Sequence, residues 1–80
     1  MAKQIVLTGK ELLKLLESIG FVVSRINGSH HRMKHPDGRV TTVAIHGNED
    51  LPKGTLRKII REDLEMDLED FMRLYEKYKR

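Results

Sequence analysis

The sequence predicts an α+β fold in which one helix is followed by three short antiparallel strands and then by further helices. Apolar residues recur at helical spacing near both ends of the chain, whereas the middle contains β-branched and aromatic runs. Two turn signals, Asn27-Gly28 and Pro36-Asp37-Gly38, separate those runs closely enough for hairpins. Each main helix has one apolar stripe. Both stripes are buried most simply if the two helices pack on one face of a three-stranded sheet, which leaves the other face open to solvent.

The first helix is predicted over residues 8–19. Thr8 and Glu11 form a capping-box signature, in which each side chain accepts a hydrogen bond from the other residue's free backbone N–H. An apolar stripe follows at helical spacing and consists of Leu12, Leu15, Leu16 and Ile19. Gly20 suits the left-handed conformation with which many helices end.

Three strands are predicted over residues 21–26, 29–35 and 39–45, and the two turns join them. Successive side chains of a strand point to opposite faces. On the second strand, one face therefore carries His30, Arg32 and Lys34, and the other carries His31, Met33 and His35. Met33 should point towards the helices, which turns the face of His30 to solvent, although a slip of one residue would reverse this assignment. The alternation of the third strand is ambiguous, because apolar residues fall on both of its faces.

Two more helices are predicted after the loop His46-Gly47-Asn48-Glu49-Asp50. Pro52 suits the first position of the second helix, where its missing N–H costs nothing. Asp67, with Asp70 three residues later, is the predicted N-cap of a C-terminal helix over residues 67–79. The apolar stripes of these helices are Leu56, Ile59, Ile60 and Leu64 in one, and Leu68, Phe71, Met72 and Tyr75 in the other.

Length and composition restrict the class of protein. We expect residues 1–80 to form one domain, near the lower size limit for an unaided hydrophobic core. The lack of cysteine excludes disulfides and thiolate metal sites and fits a reducing cytoplasm. The N-terminal residues lack the apolar run of a signal peptide, and no stretch approaches the ~20 apolar residues of a membrane span. We therefore expect a cytoplasmic protein without a membrane partner.

The charge of the chain is unevenly distributed around a formal net value of +3. Residues 1–60 hold ten lysines and arginines against five acidic residues, whereas residues 61–80 hold five against seven, with a run of acids over residues 62–70. A basic body favours a polyanionic partner such as nucleic acid. A solvated surface of mixed charge is the alternative interpretation.

His30 is the first candidate for chemistry, because imidazole exchanges protons near neutral pH. Cleavage of RNA through its 2′-hydroxyl needs a base for that hydroxyl, an acid for the departing 5′-oxygen and positive charge around the phosphorus. His30 could transfer the proton while Arg32 and Lys34 supply the charge. The alternative is an exposed hairpin histidine without a role. For His31 and His35 we expect partly buried, hydrogen-bonded rings.

Three other residues are weaker candidates. His46 could be a second proton-transfer group or simply part of a turn. Lys53 and Gly54 lie in the first turn of the second helix, where free backbone N–H groups and the helix dipole favour a phosphate. A surface lysine and a glycine required by packing are the alternative. The sequence has no recognised metal-ligand spacing, phosphate-binding glycine loop or dinucleotide fingerprint, so we expect no metal and no cofactor.

Five short segments of the chain form a specific signature through their order and spacing, although each of them is a weak motif alone. They are Gly9–Leu13 continuing to Gly20-Phe21, Gly28-Ser29-His30, His35–Arg39, His46-Gly47-Asn48 and Pro52–Leu56. In this order and spacing they resemble the HicA toxin family of bacterial toxin–antitoxin modules, over roughly residues 8–74. Residues 75–80 run past the usual end of that family.

The resemblance implies a double-stranded-RNA-binding-like fold and a metal-independent mRNA endoribonuclease that arrests translation. The catalytic histidine of the family directly follows Gly-Ser or Gly-Thr, which is His30 in this sequence. The expected RNA or phosphate contacts are Ser29, Arg32, Lys34, Lys53 and Gly54. A HicB-like antitoxin is expected to bind the protein and cover His30.

Two other functions are compatible with the same residues. A non-catalytic RNA-binding module of the same fold would bind RNA without cutting it. An interaction domain whose basic face docks an acidic protein would neither bind nor cut RNA. A cleavage assay in the presence of EDTA separates the endoribonuclease from both, and RNA binding without cleavage separates the binding module from the interaction domain.

Overall fold

The computed structural model describes residues 5–79, so the predictions for residues 1–4 and for Arg80 lie outside the described residues. Its elements are α1 (Gly9–Ser18), β1 (Val22–Asn27), β2 (His30–Lys34), β3 (Val40–Ala44), α2 (Lys53–Lys58), a π-helical segment (Ile59–Asp63) and α3 (Leu68–Lys79). The strands form one antiparallel sheet in the order β1-β2-β3. The predicted α+β architecture, with an α-β-β-β-α layout and a C-terminal helix, is confirmed.

One hydrophobic core joins the inner face of the sheet to the helices. It consists of Leu7, Leu12, Leu15, Leu16, Phe21, Met33, Val43, Leu56, Ile59, Ile60, Leu64 and Phe71, all buried. The predicted stripes of the first two helices supply most of these side chains. The opposite face of the sheet contributes none of them.

Both predicted ends of α1 are confirmed. The N–H of Glu11 donates to Thr8 Oγ1 at 3.1 Å, and the N–H of Thr8 donates to Glu11 Oε1 at 2.9 Å. The bond from the Thr8 backbone favours the ionised carboxylate and lowers the pKa of Glu11. Gly20 has a φ of 106°, and a Cβ at this position would lie 2.9 Å from Nε2 of His35. Glycine is therefore required there both by conformation and by space.

The first hairpin turns one residue later than predicted. Asn27 pairs with His30, so Gly28 and Ser29 are the two loop residues. Gly28 has a φ of 62° and Ser29 is not left-handed, which is the pattern of a type II′ turn with glycine first. The predicted Asn27-Gly28 turn would have required a positive φ at both residues. The shift leaves the predicted faces unchanged, because Met33 still points to the core.

The outer strands differ in regularity. The pairing of β1 with β2 shifts between Val23 and Arg25, which makes Ser24 the extra residue of a β-bulge. In β3 the ambiguity of the sequence is resolved, since Thr41 and Val43 are buried on the inner face. Thr41 is a polar residue in this position, and its hydroxyl donates to Asp63 Oδ2 at 2.9 Å.

The second helix differs from prediction at both ends. Pro52 is its N-cap, and Lys53 is its first residue. After Lys58 the helix widens, and the N–H of Leu64 donates to the carbonyl of Ile59, five residues earlier, at 2.9 Å. Contacts with the sheet accompany the change, because Asp63 accepts the Thr41 bond and the Leu64 carbonyl accepts a hydrogen bond from Arg39 at 2.8 Å.

The C-terminal helix begins as predicted but buries a different face. The N–H of Asp70 donates to Asp67 Oδ1 at 2.8 Å, which confirms the cap. The residues of α3 that pack on the core are Phe71, Leu74, Tyr75 and Tyr78. Leu68, by contrast, is 40% exposed, and Met72 is half buried without joining the core cluster. The hydroxyl of Tyr75 donates to the carbonyl of Val6 at 3.4 Å, so the N-terminal segment helps to fix the rotation of α3.

Candidate functional site

The predicted division of β2 into two faces is present in the structure. His30, Arg32 and Lys34 are exposed, Met33 is fully buried, and His31 and His35 are half buried. Directly opposite residues of neighbouring strands share a face. The side of the sheet that faces away from the helices, called the outer face below, therefore consists of Val22, Arg25, Asn27, His30, Arg32, Lys34, Val40, Thr42 and Ala44.

His30 is the first residue of the central strand and is flanked on both sides. Asn27 lies opposite it on β1 and Ala44 on β3. Among the described residues, its ring has no hydrogen bond, ion pair or aromatic contact. The backbone beneath it is firmly packed, because a Cβ at Gly9 of α1 would overlap the carbonyl oxygen of Ala44. The backbone at His30 is thus fixed by packing, and its imidazole is left free for a ligand.

Ser29 fixes the start of β2 through its backbone. Its carbonyl accepts a hydrogen bond from the N–H of Ile45 at 2.9 Å, and Nδ1 of His31 lies 3.2 Å from the same oxygen. The side-chain hydroxyl of Ser29 makes no hydrogen bond to the described residues. The position can therefore offer that hydroxyl to a ligand beside His30.

The outer face is positively charged and has no acidic member. Alternate residues of a strand lie about 6.6–6.8 Å apart, which spaces His30, Arg32 and Lys34 evenly along β2. Arg32 and Lys34 form no ion pair with the described residues, whose ion pairs lie in the β2–β3 turn and along the helices. The face can therefore attract and neutralise an anion without first breaking an internal contact.

Arg25 is a further cation on this face that the predicted site does not include. It is exposed and lies directly opposite Arg32. The signal was available in the sequence, because the predicted and the observed hairpin registers both put Arg25 on the face of His30. In the predicted register it would have opposed His30 instead of Arg32.

His46 lies just beyond β3, at the end of the sheet that carries His30. Ala44 is the partner of His30, so position 46 is its diagonal neighbour, and such neighbours are about 7–8 Å apart in a regular pair. The carbonyl of His46 accepts the N–H of Glu49 at 3.1 Å, which makes the backbone part of a turn. Its ring is exposed and has no hydrogen bond to the described residues.

Lys53 and Gly54 belong to a different part of the surface. Lys53 borders a cavity of about 220 Å³ on the helix side, together with Val6 and Leu51 among others, and no residue of the outer face lines it. A Cβ at Gly54 would meet no atom within 4 Å, so packing does not require this glycine. A phosphate bound at Lys53 would therefore be a different group from a phosphate bound at His30.

His31 and His35 have the structural roles predicted for them. Nε2–H of His35 donates to the carbonyl of Ile19 at 2.9 Å, and the ring meets Phe21 edge-on at 5.0 Å. The N–H of Asp37 donates to Nδ1 of His35 at 3.1 Å. The N–H of Arg39 in turn donates to the Asp37 carboxylate at 3.0 Å, which, with the Arg39 guanidinium, lowers the pKa of Asp37. These residues brace the β2–β3 turn against α1.

The described residues offer neither a cluster of metal ligands nor a membrane-spanning helix. Residues 5–79 contain no group of three or more histidine, aspartate or glutamate side chains arranged to hold a metal ion. Within the same range, every helix is too short or too polar to span a membrane.

The acidic run over residues 62–70 is largely engaged within the chain. Asp63 accepts the Thr41 hydroxyl and Asp67 caps α3. Asp70 pairs with Arg73 at 3.0 Å. These contacts give the run a local structural role.

Comparison with known families gives one match. A family model described as HicA toxin of bacterial toxin-antitoxin matches residues 9–64. The match covers well over half of the chain and contains α1, the whole sheet and the second helix. It is shorter than the expected range of 8–74, because it ends before α3. A comparison with curated proteins found no significant match.

Proposed function

The chain belongs to the HicA toxin family of bacterial toxin–antitoxin systems, and on that premise we propose that it is an endoribonuclease that cuts mRNA without a metal ion. By cutting mRNA in the cytoplasm it would arrest translation. The observation that carries the proposal is the exposure of His30, between two neighbouring strands and beside Arg32 and Lys34, on the face of the sheet that the helices leave bare.

His30 has the chemistry for one of the two proton transfers. In the reaction, the 2′-oxygen of a ribose forms a bond to the adjacent phosphorus and the bond from phosphorus to the 5′-oxygen breaks. A neutral imidazole takes the proton of the 2′-hydroxyl, whereas an imidazolium gives a proton to the departing 5′-oxygen. The products are a 2′,3′-cyclic phosphate and a free 5′-hydroxyl.

Arg32 and Lys34 would hold and neutralise the phosphodiester backbone at and next to the bond that is cut. The guanidinium of Arg32 can donate two parallel hydrogen bonds to a phosphate, while Lys34 acts as a point charge. Neither cation has to leave an internal ion-pair partner, so no such contact has to be broken when the phosphate binds. Ser29, at the turn beside His30, offers a hydroxyl to the phosphate at the bond that is cut. Lys53 and Gly54 would contact a more distant phosphate.

The second proton-transfer group is proposed to be His46, because it follows β3 at the end of the sheet that carries His30. Lys34 or a water molecule could serve instead. One positioned acid or base contributes about 10²–10⁴ to the rate, so we expect a slow enzyme. A slow ribonuclease is sufficient for a toxin, because each cut message stays lost.

The proposed partner is a HicB-like antitoxin that binds the toxin and covers His30. An inhibitor that lays acidic or polar groups on the outer face would satisfy cations that have no partner within the described chain. The same contact would exclude RNA, because both ligands need Arg32 and Lys34.

The test is an RNA cleavage assay with purified protein in the presence of EDTA. We expect wild type to produce fragments with 5′-hydroxyl ends, and His30→Ala, purified in parallel, to produce none that can be detected over the same incubation. RNA that is bound but left intact by wild type would contradict the proposal and favour a non-catalytic RNA-binding module. A protein that neither binds nor cuts RNA but binds an acidic protein would point to an interaction domain.

A further inference from the structure

We propose that Arg25 and Arg32 form a two-arginine clamp for one phosphate group of the RNA strand, adjacent to the phosphate held at His30. The inference rests on the proposed function and adds a site residue to it. It concerns a pair of side chains on neighbouring strands, which the linear sequence motifs do not contain.

The first argument is the strand register. Arg25 of β1 is the direct partner of Arg32 of β2, and both side chains are exposed on the outer face. Directly opposite residues have Cβ atoms about 4.5–5.5 Å apart, and like charges in this position destabilise a sheet. Neither arginine has an ion-pair partner among residues 5–79. An unfavourable pair without internal compensation is suited to an anion from outside the chain.

The second argument is that the backbone under the pair is specially shaped. The β-bulge at Ser24 directly precedes Arg25 and changes the register of β1. The hydroxyl of Ser24 donates to the carbonyl of Arg32 at 3.3 Å, which ties the bulge to the strand below the second arginine. Bulges re-aim the side chains next to them. Here the bulge lies directly beyond the Arg25–Arg32 pair, whose register continues without interruption from the turn through Asn27 and His30.

The third argument is that Arg32 is not committed to another anion. It borders a shallow cavity of about 240 Å³ that Asp63 also lines. The Asp63 carboxylate, however, accepts the hydroxyl of Thr41 and forms no ion pair with Arg32. The guanidinium of Arg32 therefore remains available on the outer face.

The position of the pair relates it to the site of cleavage. Arg32 is two residues from His30, about 6.6–6.8 Å along the strand, which is close to the spacing of successive phosphates in an extended RNA strand. A strand lying along β2 with one phosphate at His30 thus brings the next one to the arginine pair. Two guanidiniums can hold opposite oxygens of that phosphate. The clamp would fix the register of the strand without reading its bases.

The experiment measures binding of a short fluorescent single-stranded oligoribonucleotide by anisotropy at several salt concentrations. All proteins carry His30→Ala so that the probe stays intact. The variants are Arg25→Gln, Arg25→Lys, Arg32→Gln and the double Arg25→Gln/Arg32→Gln. The matched control is Arg73→Gln, which removes one exposed arginine from α3, away from the outer face.

We expect Arg25→Gln to raise the dissociation constant about tenfold or more, because charge-assisted hydrogen bonds to one phosphate are lost. The slope of log affinity against log salt should fall by up to about 0.7, the value for one phosphate of a single strand. Arg25→Lys should recover part of the affinity. The double variant should lose less than the sum of the single losses, since both arginines contact the same group. The melting temperature of Arg25→Gln should equal or exceed that of the parent protein.

The clamp is overturned if Arg25→Gln binds RNA like Arg73→Gln, if its losses follow a fall in melting temperature, or if it weakens only the binding of a protein partner. Absence of RNA binding by the parent protein also overturns it. The proposed function is judged separately, from cleavage by the protein with His30 intact. Cleavage without an effect of Arg25 refutes the clamp alone, and Arg25-dependent binding without cleavage refutes the endoribonuclease alone.

Discussion

The two faces of β2 carry side chains with different roles. Those on the inner face stabilise the fold, whereas those on the outer face are available to a ligand. On the inner face, His35 bonds to Ile19 and Asp37, and Met33 is fully enclosed. On the outer face, the side chains of His30 and Arg32 form no hydrogen bond or ion pair with residues 5–79. Both faces carry histidine, and the surroundings of those histidines differ.

The difference has a simple physical cause. A polar group beneath a helix loses water and must find a hydrogen bond within the chain, which is why the inner histidines are bonded. A polar group on the bare face keeps its water and is under no such demand. Cations gathered there without an ion-pair partner among residues 5–79 therefore point to an external anion, whereas the hydrogen bonds of the inner histidines stabilise the fold. Each comparison below tests this division with a pair of substitutions.

The largest expected effect separates two adjacent histidines. His30→Ala should reduce the rate of RNA cleavage by about 10²–10⁴, the contribution of one positioned acid or base, without loss of stability. His31→Ala removes the ring on the opposite face and should keep the rate per folded molecule within a few-fold of wild type. Single-turnover cleavage rates and thermal melts of both variants check this. Equal loss of activity in the two variants would contradict the division of the strand.

A large difference in stability is expected between the variants of the next two residues along the strand, Met33 and Lys34. Met33→Ala should lower the free energy of unfolding by about 2–5 kcal/mol, because it leaves a cavity between the sheet and the helices. Lys34→Ala should change it by less than about 0.5 kcal/mol, since Lys34 is exposed.

Urea unfolding measures both values. A domain of this size has only about 3–5 kcal/mol of stability, so Met33→Ala can be largely unfolded even without urea. Met33→Leu, which nearly conserves volume, should cost less than about 1.5 kcal/mol and keeps the comparison measurable. A loss at Lys34 as large as the loss at Met33 would show that the outer face is packed.

Features that depend on neighbouring residues could be predicted from the sequence. The two faces of β2 follow from the alternation of side chains along a strand, with the apolar Met33 marking the inner face. The cap of α1 follows from the spacing of Thr8 and Glu11. The position of Arg25 on the outer face could also be predicted, because either pairing of the hairpin puts it on the face of His30. Its exact partner on β2 could not be predicted. The partner depends on which two residues form the turn.

Features that depend on distant contacts could not be predicted. The widening of the second helix accompanies the bond between Thr41 and Asp63, which are 22 residues apart. The rotation of α3 involves Tyr75 and Val6, which are 69 residues apart. No local pattern records either pairing. The separation of Lys53 from the outer face likewise becomes visible only when the helices are placed on the sheet.

A smaller effect on stability is expected at the second inner histidine. His35→Ala should lower the free energy of unfolding by about 1–3 kcal/mol, because the Ile19 carbonyl loses its hydrogen bond and Phe21 loses its edge contact. The cleavage rate per folded molecule should be unchanged. Urea unfolding and cleavage are measured on the same preparations. A selective loss of cleavage at full stability would assign His35 to the site and remove the distinction between the faces.

The smallest effect distinguishes the faces by their response to acid. The outer face has no carboxylate, so the acid sensitivity of folding should come from carboxylates elsewhere, among them Asp37 and Glu11, whose pKa values are lowered by the backbone N–H groups of Arg39 and Thr8 respectively. A carboxyl with a lowered folded-state pKa stabilises the protein fully above its ordinary pKa of about 4.3, and this contribution is lost as the pH falls through the folded value. Glu11→Gln should therefore reduce the free energy of unfolding at neutral pH and flatten its decline below about pH 4. Glu17→Gln, on the exposed side of the same helix, should keep the decline of wild type. If both substitutions flatten the decline equally, the capping box is not the source of the decline, and the carboxylates of the helix contribute through their overall charge instead.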